Sequence, residues 1–252
     1  MFDSDSWQEI FATIKKNKLR TALTCFGVFW GIFMLVVMIG SGNGLSNGIL
    51  KDFAGTATNS FFCWAQKTSK PYKGMKPGRN FNFNNDDTKA LKQLPELAVV
   101  APMNQLGNYE GTNNVVRGLK NGGFEVSGVY PELRKIEATT IKAGRFLNQN
   151  DIDDKRKVAV IGKRVQEILF EKDENPIGEY IRVQGVYFRV VGVTEPASGG
   201  ERGREAGEKV QIPFTTFQQA FNYGDIVGWY AIMAAKGVPA TKAEDMALAL
   251  LR

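Results

Sequence analysis

ALTCFGVFWGIFMLVVMI, residues Ala22 to Ile39, is the stretch on which the reading of this chain turns. It carries no charged side chain, only Thr24 and Cys25 interrupt its apolar character, and the charge-free run extends from Thr21 to Leu50. A hydrocarbon core about 30 Å thick needs roughly 20 apolar residues, because in lipid every backbone amide must bond within its own helix. The run has that length. Lys15, Lys16, Lys18 and Arg20 crowd its N-terminal edge, whereas Ser41 to Leu50 carries no basic residue. The positive-inside bias therefore keeps residues 1–20 cytoplasmic and exports everything after about Asn43. Two rival readings stand beside this one. A buried core helix is usually shorter and lacks a basic cluster at one end. A cleaved signal peptide finds a small-residue site at Gly40, Ser41 and Gly42, but its apolar region usually spans only about 7–15 residues.

On the N-terminal side, Ser6-Trp7-Gln8-Glu9 has the form of a capping box, and Trp7, Ile10, Phe11 and Ile14 recur at helical spacing. This predicts a short amphipathic helix at the membrane interface, anchored by Trp7, Phe11, Lys15, Lys16, Lys18 and Arg20, with Asn17 as the elbow into the span. Packing of Trp7 and Phe11 on a neighbouring protein helix is the alternative. Within the span, Gly27 and Gly31 form a GxxxG pair that lets another helix approach closely. Gly40, Gly42, Gly44 and Gly48 read as a flexible or tightly packed exit, and their spacing does not make a dinucleotide fingerprint.

Composition excludes most chemistry. The 252 residues contain no histidine, which removes imidazole bases, His-dependent triads and most zinc sites. Cys25 and Cys63 form no CxxC, and with one inside the membrane run they are not expected to meet. No GxxxxGK[ST] occurs, so the chain holds no P-loop. The net charge is +6; the leader's four Lys/Arg stand against Asp3, Asp5 and Glu9, so most of it is spread over the exported part without a dense basic block, which describes a solvated surface more than a nucleic-acid footprint. Asp151, Asp153 and Asp154 are interrupted by Ile152 and Lys155, which breaks the alternation a calcium loop needs. No residue is nominated as catalytic, and no cofactor or metal is expected on this chain.

The exported part reads as mixed α+β. Phe61 to Ala65 is a strand; Lys67 to Phe83 is a loop; Asp86-Asp87 opens a short helix that stops at Pro95; and Ala98 to Met103 is a second strand, completing a β-α-β unit. Gln105 to Thr140 breaks into short alternating pieces. Val158 to Ile161 is a buried strand, followed by a helix with Val165, Ile168 and Leu169 inward. Tyr180 to Val183 and Val186 to Val193 pair over a two-residue Gln184-Gly185 turn. Ser198 to Gly207 is expected to be a mobile loop and, with Lys67 to Arg79, the least ordered exported segment. Val210 to Pro213 and Gly228 to Ala235 are strands; Thr215 to Gln218 has a capping-box pattern; and Thr241 to Glu244 caps a helix with a stripe of Ala243, Ala247, Leu250 and Leu251.

Ile141 to Glu195 resembles the signature block of the MacB-like periplasmic core domain of ABC transporter permeases. The motifs are Ala143-Gly144-Arg145-Phe146, Val158 to Gly162, Asn175-Pro176-Ile177-Gly178 and Phe188 to Val193, supported by Asn17 to Thr21 and Val210 to Pro213. Such a resemblance implies a cytoplasmic leader over 1–20, a transmembrane helix over 21–43, and an extracytoplasmic domain over 44–252. That domain is expected to have β-α-β, porter-like halves with an inserted strand-rich lobe over roughly 105–205. It implies a subunit of the bacterial inner membrane that performs no covalent chemistry. The implied partners are a cytoplasmic ABC ATPase that binds the ATP, a second permease copy in a dimer, a periplasmic adaptor and membrane lipid, with no nucleic acid. Because no second apolar run follows Leu251, the chain is expected to be part of a longer four-helix permease. A membrane-anchored regulatory scaffold of the FtsX type is the alternative.

Overall fold

A computed structural model describes residues 18–53, 57–71, 74–106, 114–196, 204 and 206–251. The chain divides between Lys51 and Asp52 into two compact units. The first holds nearly all of helix α1, Lys18–Phe53, 36 residues without a break. Its Lys18–Gly42 segment is long and apolar enough to cross a membrane, with Lys18 and Arg20 in its first turn. Gly40, Gly42, Gly44 and Gly48, expected to form an exit, lie inside the helix. The physical reason is that an interior glycine costs a helix only about 1 kcal/mol, whereas proline breaks it, and the first proline is Pro71.

The second unit is built on an eleven-stranded mixed sheet. Its strands in chain order are β1 (Ser60–Trp64), β3 (Leu97–Leu106), β4 (Val115–Arg117), β5 (Lys120–Gly122), β6 (Glu125–Val129), β7 (Thr139–Gly144), β8 (Val158–Gly162), β9 (Tyr180–Val183), β10 (Val186–Pro196), β11 (Lys209–Pro213) and β13 (Trp229–Ala234). Two-residue strands β2 (Phe83–Asn84) and β12 (Ile226–Val227) pair separately. The sheet order is β1-β13-β3-β6-β11-β8-β10-β9-β4-β5, with β7 also on β10. Helix α2 (Asn85–Lys92) connects β1 to β3, and β13 lies antiparallel between them, a split β-α-β arrangement. The remaining helices are α3 (Gln149–Asp153), α4 (Lys163–Leu169), α5 (Phe214–Ala220) and α6 (Ala240–Leu251).

Alternation along the strands sorts side chains into separate cores. Ala159 and Ile161 of β8 join Ile181, Val183, Phe188 and Val190 beneath α4, while Val158 and Val160 point the other way, toward Phe146, Leu147 and Leu133. A third cluster packs Leu91, Val100, Phe214, Tyr230 and Ala243. The β9–β10 turn falls on Gln184 and Gly185, with φ of 44° and 89°, the two left-handed residues a two-residue hairpin requires.

Several helix starts differ from expectation. The cap of α2 is Asn84, whose side chain accepts from the Asp86 and Asp87 amides; Asp87 returns the bond at 2.9 Å, so the two aspartates are first-turn residues. The Thr215 pattern makes no capping box, because the Thr215 hydroxyl donates to the Ile152 carbonyl and Thr216 donates to that of Arg156, at 3.0 Å for the latter. Helix α6 begins at Ala240, one residue before the expected cap, and of its stripe Ala243 and Ala247 are buried but Leu250 is exposed. Within the expected 198–207 loop, Arg204, Ala206 and Gly207 are helical, and the Glu208 amide donates to the Arg204 carbonyl at 3.1 Å. Between Lys67 and Arg79, Thr68 and Arg79 are joined by a 2.9 Å backbone bond.

Candidate functional site

Of the residues singled out in the sequence, Lys18 and Arg20 are exposed in the first turn of α1; Trp7, Phe11, Lys15 and Lys16 lie outside the described residues. Gly27 and Gly31 stand one turn apart, and a Cβ built on either meets nothing within 4 Å, so this stripe is open to another helix. The neighbouring faces carry an aromatic ladder, with Phe26 and Phe33 each about 6 Å from Trp30. Thr24 returns its hydroxyl to the Arg20 carbonyl at 2.9 Å, which lets a polar residue sit in an apolar helix.

In the second unit the family-like motifs meet at one junction. Gly144 closes β7 at φ 71°, where a Cβ would lie 2.2 Å from the Val191 carbonyl oxygen; on the facing strand a Cβ on Gly192 would lie 2.0 Å from that of Arg145. Only glycine allows the two backbones this approach. The next residue, Arg145, forks onto the fully buried Asp151, with Nη1 at 2.6 Å and Nη2 at 3.0 Å. Asp151 is also the third residue of α3, capped reciprocally with Asn148, and Arg156 stands 3.8 Å away. Burial pushes the Asp151 carboxyl up, but the Arg145 guanidinium, the Asn148 amide and the Arg156 charge together hold it below the usual carboxylate range. Asp151 is thus the pin of a structural junction, as its paired chemistry requires.

A second ion pair fastens the far edge of the sheet. Arg117 of β4 binds Glu174 through both guanidinium nitrogens, reaches Glu179 at 3.3 Å, and lies 4.2 Å over the Phe170 ring. Sequence reasoning missed two further buried elements. Asn104 bonds the Ile226 carbonyl at 2.8 Å and receives the Gly228 amide at 2.7 Å; Gln218 and Asn85 exchange amide bonds. An asparagine inside a ten-residue apolar strand was the available signal. Among the described residues no three His, Cys, Asp or Glu side chains are grouped to hold a metal. Burial, with Glu244 adding to it, pushes the Cys63 thiol up, so it stays protonated.

The fold and these junctions define a mixed-sheet domain whose family-like motifs are spent on architecture, carried behind an apolar helix of membrane-spanning length. Residues 21–250 match the family described as the MacB-like periplasmic core domain, and the chain belongs to that family. The helix and the family together define a membrane-anchored, extracytoplasmic permease domain. The chain is 28% identical over 207 residues to the macrolide export ATP-binding/permease protein MacB of Bdellovibrio bacteriovorus, covering 82% of this chain and 31% of that protein. It is 27% identical over 199 residues to the pyoverdine export ATP-binding/permease protein PvdT of Pseudomonas entomophila, covering 79% and 29%. The chain thus spans about a third of these relatives. In fold it matches the periplasmic region of MacB from Actinobacillus actinomycetemcomitans, with TM-score 0.63 and 22% identity over 81% of this chain and 87% of that one. The extracellular domain of the noncanonic ABC-type transporter YknZ from Gram-positive bacteria matches with TM-score 0.63 and 15% identity, over 77% and 92%.

Proposed function

We propose that this chain supplies the first membrane helix and the extracytoplasmic domain of a MacB-type ABC permease, held in a bacterial inner membrane with its N-terminus in the cytoplasm. A separate ATPase hydrolyses ATP; the permease, paired with a second copy and engaging a periplasmic adaptor, turns that energy into movement that exports or releases a substrate across the envelope. The permease part itself makes and breaks no covalent bond. In this reading Gly27 and Gly31 pack against another helix, and Trp7, Phe11, Lys15, Lys16, Lys18 and Arg20 anchor the leader in the lipid interface. The working division is 1–20, 21–43 and 44–252, with the inserted lobe at roughly 105–205.

The observation that carries the reading is that a single family match runs through both the apolar helix and the sheet domain, residues 21–250, so anchor and domain belong to one design. The test is reconstitution of the full-length protein with its ATPase in liposomes, using a panel that includes a macrolide and a pyoverdine. ATP-dependent movement of a panel member, stopped by substituting the ATPase's P-loop lysine, is the expected result. ATP hydrolysis that moves no compound but switches on an envelope hydrolase would instead assign the chain to scaffolds of the FtsX type.

A further inference from the structure

The β9–β10 hairpin has two faces of opposite character. Inward, Ile181, Val183, Phe188 and Val190 are fully buried. Outward, Tyr180, Arg182, Tyr187 and Arg189 are exposed, the two tyrosine rings at 56% and 59%. The strand register sets Tyr187 directly opposite Arg182 and Arg189 opposite Tyr180, so rings and guanidinium groups alternate like squares on a board. At one end the face runs into an open groove of about 660 Å³ that adds Arg156 and Lys157, where the chain enters β8. At the other it continues to the half-exposed Val116, paired with Arg182.

Charge on this face is unbalanced. Among the described residues no ion pair engages Lys157, Arg182 or Arg189; the Arg189 side chain gives its Nε–H to the Gly178 carbonyl, at 3.3 Å. The flanking acids are already occupied, Asp154 by Arg156 at 2.8 Å and Glu179 by Arg117 at 3.3 Å. Tyrosine and arginine are the side chains that carry binding energy at protein interfaces, and a guanidinium is built to take a carboxylate in a fork.

We propose that the outward face of the β9–β10 hairpin, with the groove beside it, is a docking surface for an extended acidic segment of a partner protein. Charge complementarity selects the occupant: carboxylates pair with Arg182, Arg189 and Lys157 while intervening apolar side chains lie on Tyr180 and Tyr187. A second copy docking symmetrically through the same face would bring cation against cation. A small ligand would be left largely uncovered, because the face is open and small-molecule sites are enclosed. The inference goes beyond the transport reading and is tested apart from it, since the experiment reads binding alone.

The test titrates the full chain in detergent with a fluorescent peptide alternating glutamate and leucine. A lysine–leucine peptide, inorganic phosphate, and vesicles of phosphatidylglycerol or phosphatidylcholine serve as controls. Saturable binding of the glutamate peptide is expected, weakened by salt and absent for the lysine peptide. It should weaken at least about tenfold in Arg182→Gln/Arg189→Gln and, separately, in Tyr180→Ser/Tyr187→Ser. These four side chains face solvent, so both double variants should keep the parent's circular dichroism and melting temperature; the Val116→Ser variant supplies a second probe of the face if either does not. No binding of the glutamate peptide, binding unchanged in the variants, or binding confined to phosphate or to phosphatidylglycerol vesicles would each overturn the proposal.

Discussion

Asp151 is the residue whose neighbours explain the most. Its carboxylate is fully buried, while the Arg145 side chain that forks onto it keeps 42% of its surface, so the pair is only half removed from solvent screening. Removing the buried partner leaves Arg145 without its fork and α3 without its reciprocal cap. Asp151→Ala should therefore cost about 2–4 kcal/mol in urea unfolding, toward the lower side of fully buried pairs. A loss under about 0.5 kcal/mol would show that the junction holds without it. Asp151 also sets a pH dependence whose sign follows from its depressed folded-state pKa. Its contribution is complete above the ordinary unfolded value near 3.9 and disappears as pH falls through the lower folded value. Asp151→Asn should flatten the acid limb of the stability curve below about pH 4, while leaving the slope near neutrality unchanged. The role of Asp151 was not legible in the sequence. The spacing of Asp151, Asp153 and Asp154 argued against a calcium loop, but nothing in it announced Arg145 as the partner, because that bond depends on where β7 delivers its last residue.

At the scale of elements, alternation makes the sharpest test. Phe188 and Tyr187 are neighbours in β10, yet one is fully buried and the other is 59% exposed. Phe188→Ala should cost about 3–5 kcal/mol, whereas Tyr187→Ala should change stability by no more than about 0.5 kcal/mol. Equal losses in thermal melts would mean a hairpin shifted by one residue. The Gly192 contact belongs to the same element. A methyl group there must force β10 and the strand end at Arg145 apart, so Gly192→Ala should destabilise by about 1–3 kcal/mol. A neutral result would show the two backbones free to separate. Strands and the Gln184-Gly185 turn were legible because they are written in nearest neighbours: a period of two and a pair of turn residues. Helix starts were less so. Thr215 and Thr216 have the form of a cap, yet their hydroxyls are drawn to carbonyls some sixty residues earlier in the chain, a competition that no local pattern reveals.

For the whole molecule, anchoring and sidedness are the properties to measure. Asn121 is exposed on β5, Cys63 is buried, and Cys25 lies in the apolar segment of α1. An Asn121→Cys protein should pellet with membranes and react with an impermeant maleimide in intact spheroplasts, with Cys63 silent. Labelling only after permeabilisation would reverse the proposed orientation. If Gly27 and Gly31 face another helix in the membrane, Gly27→Ile/Gly31→Ile should weaken association there by about 1–2 kcal/mol, read as lower energy transfer between labelled chains or helices. Unchanged transfer would remove these glycines from the interface. Sequence alone determined the apolar helix and the mixed α+β character, because each follows from local composition or from a period of a few residues. Tertiary structure decided the order of strands, the buried ties of Asp151, Asn104 and Gln218, and the free tyrosines and arginines of β9 and β10. The ties and the strand order depend on contacts between residues far apart in the chain, which only folding brings within bonding distance, whereas the length of α1 rests on its own local hydrogen bonds, which its glycines do not interrupt.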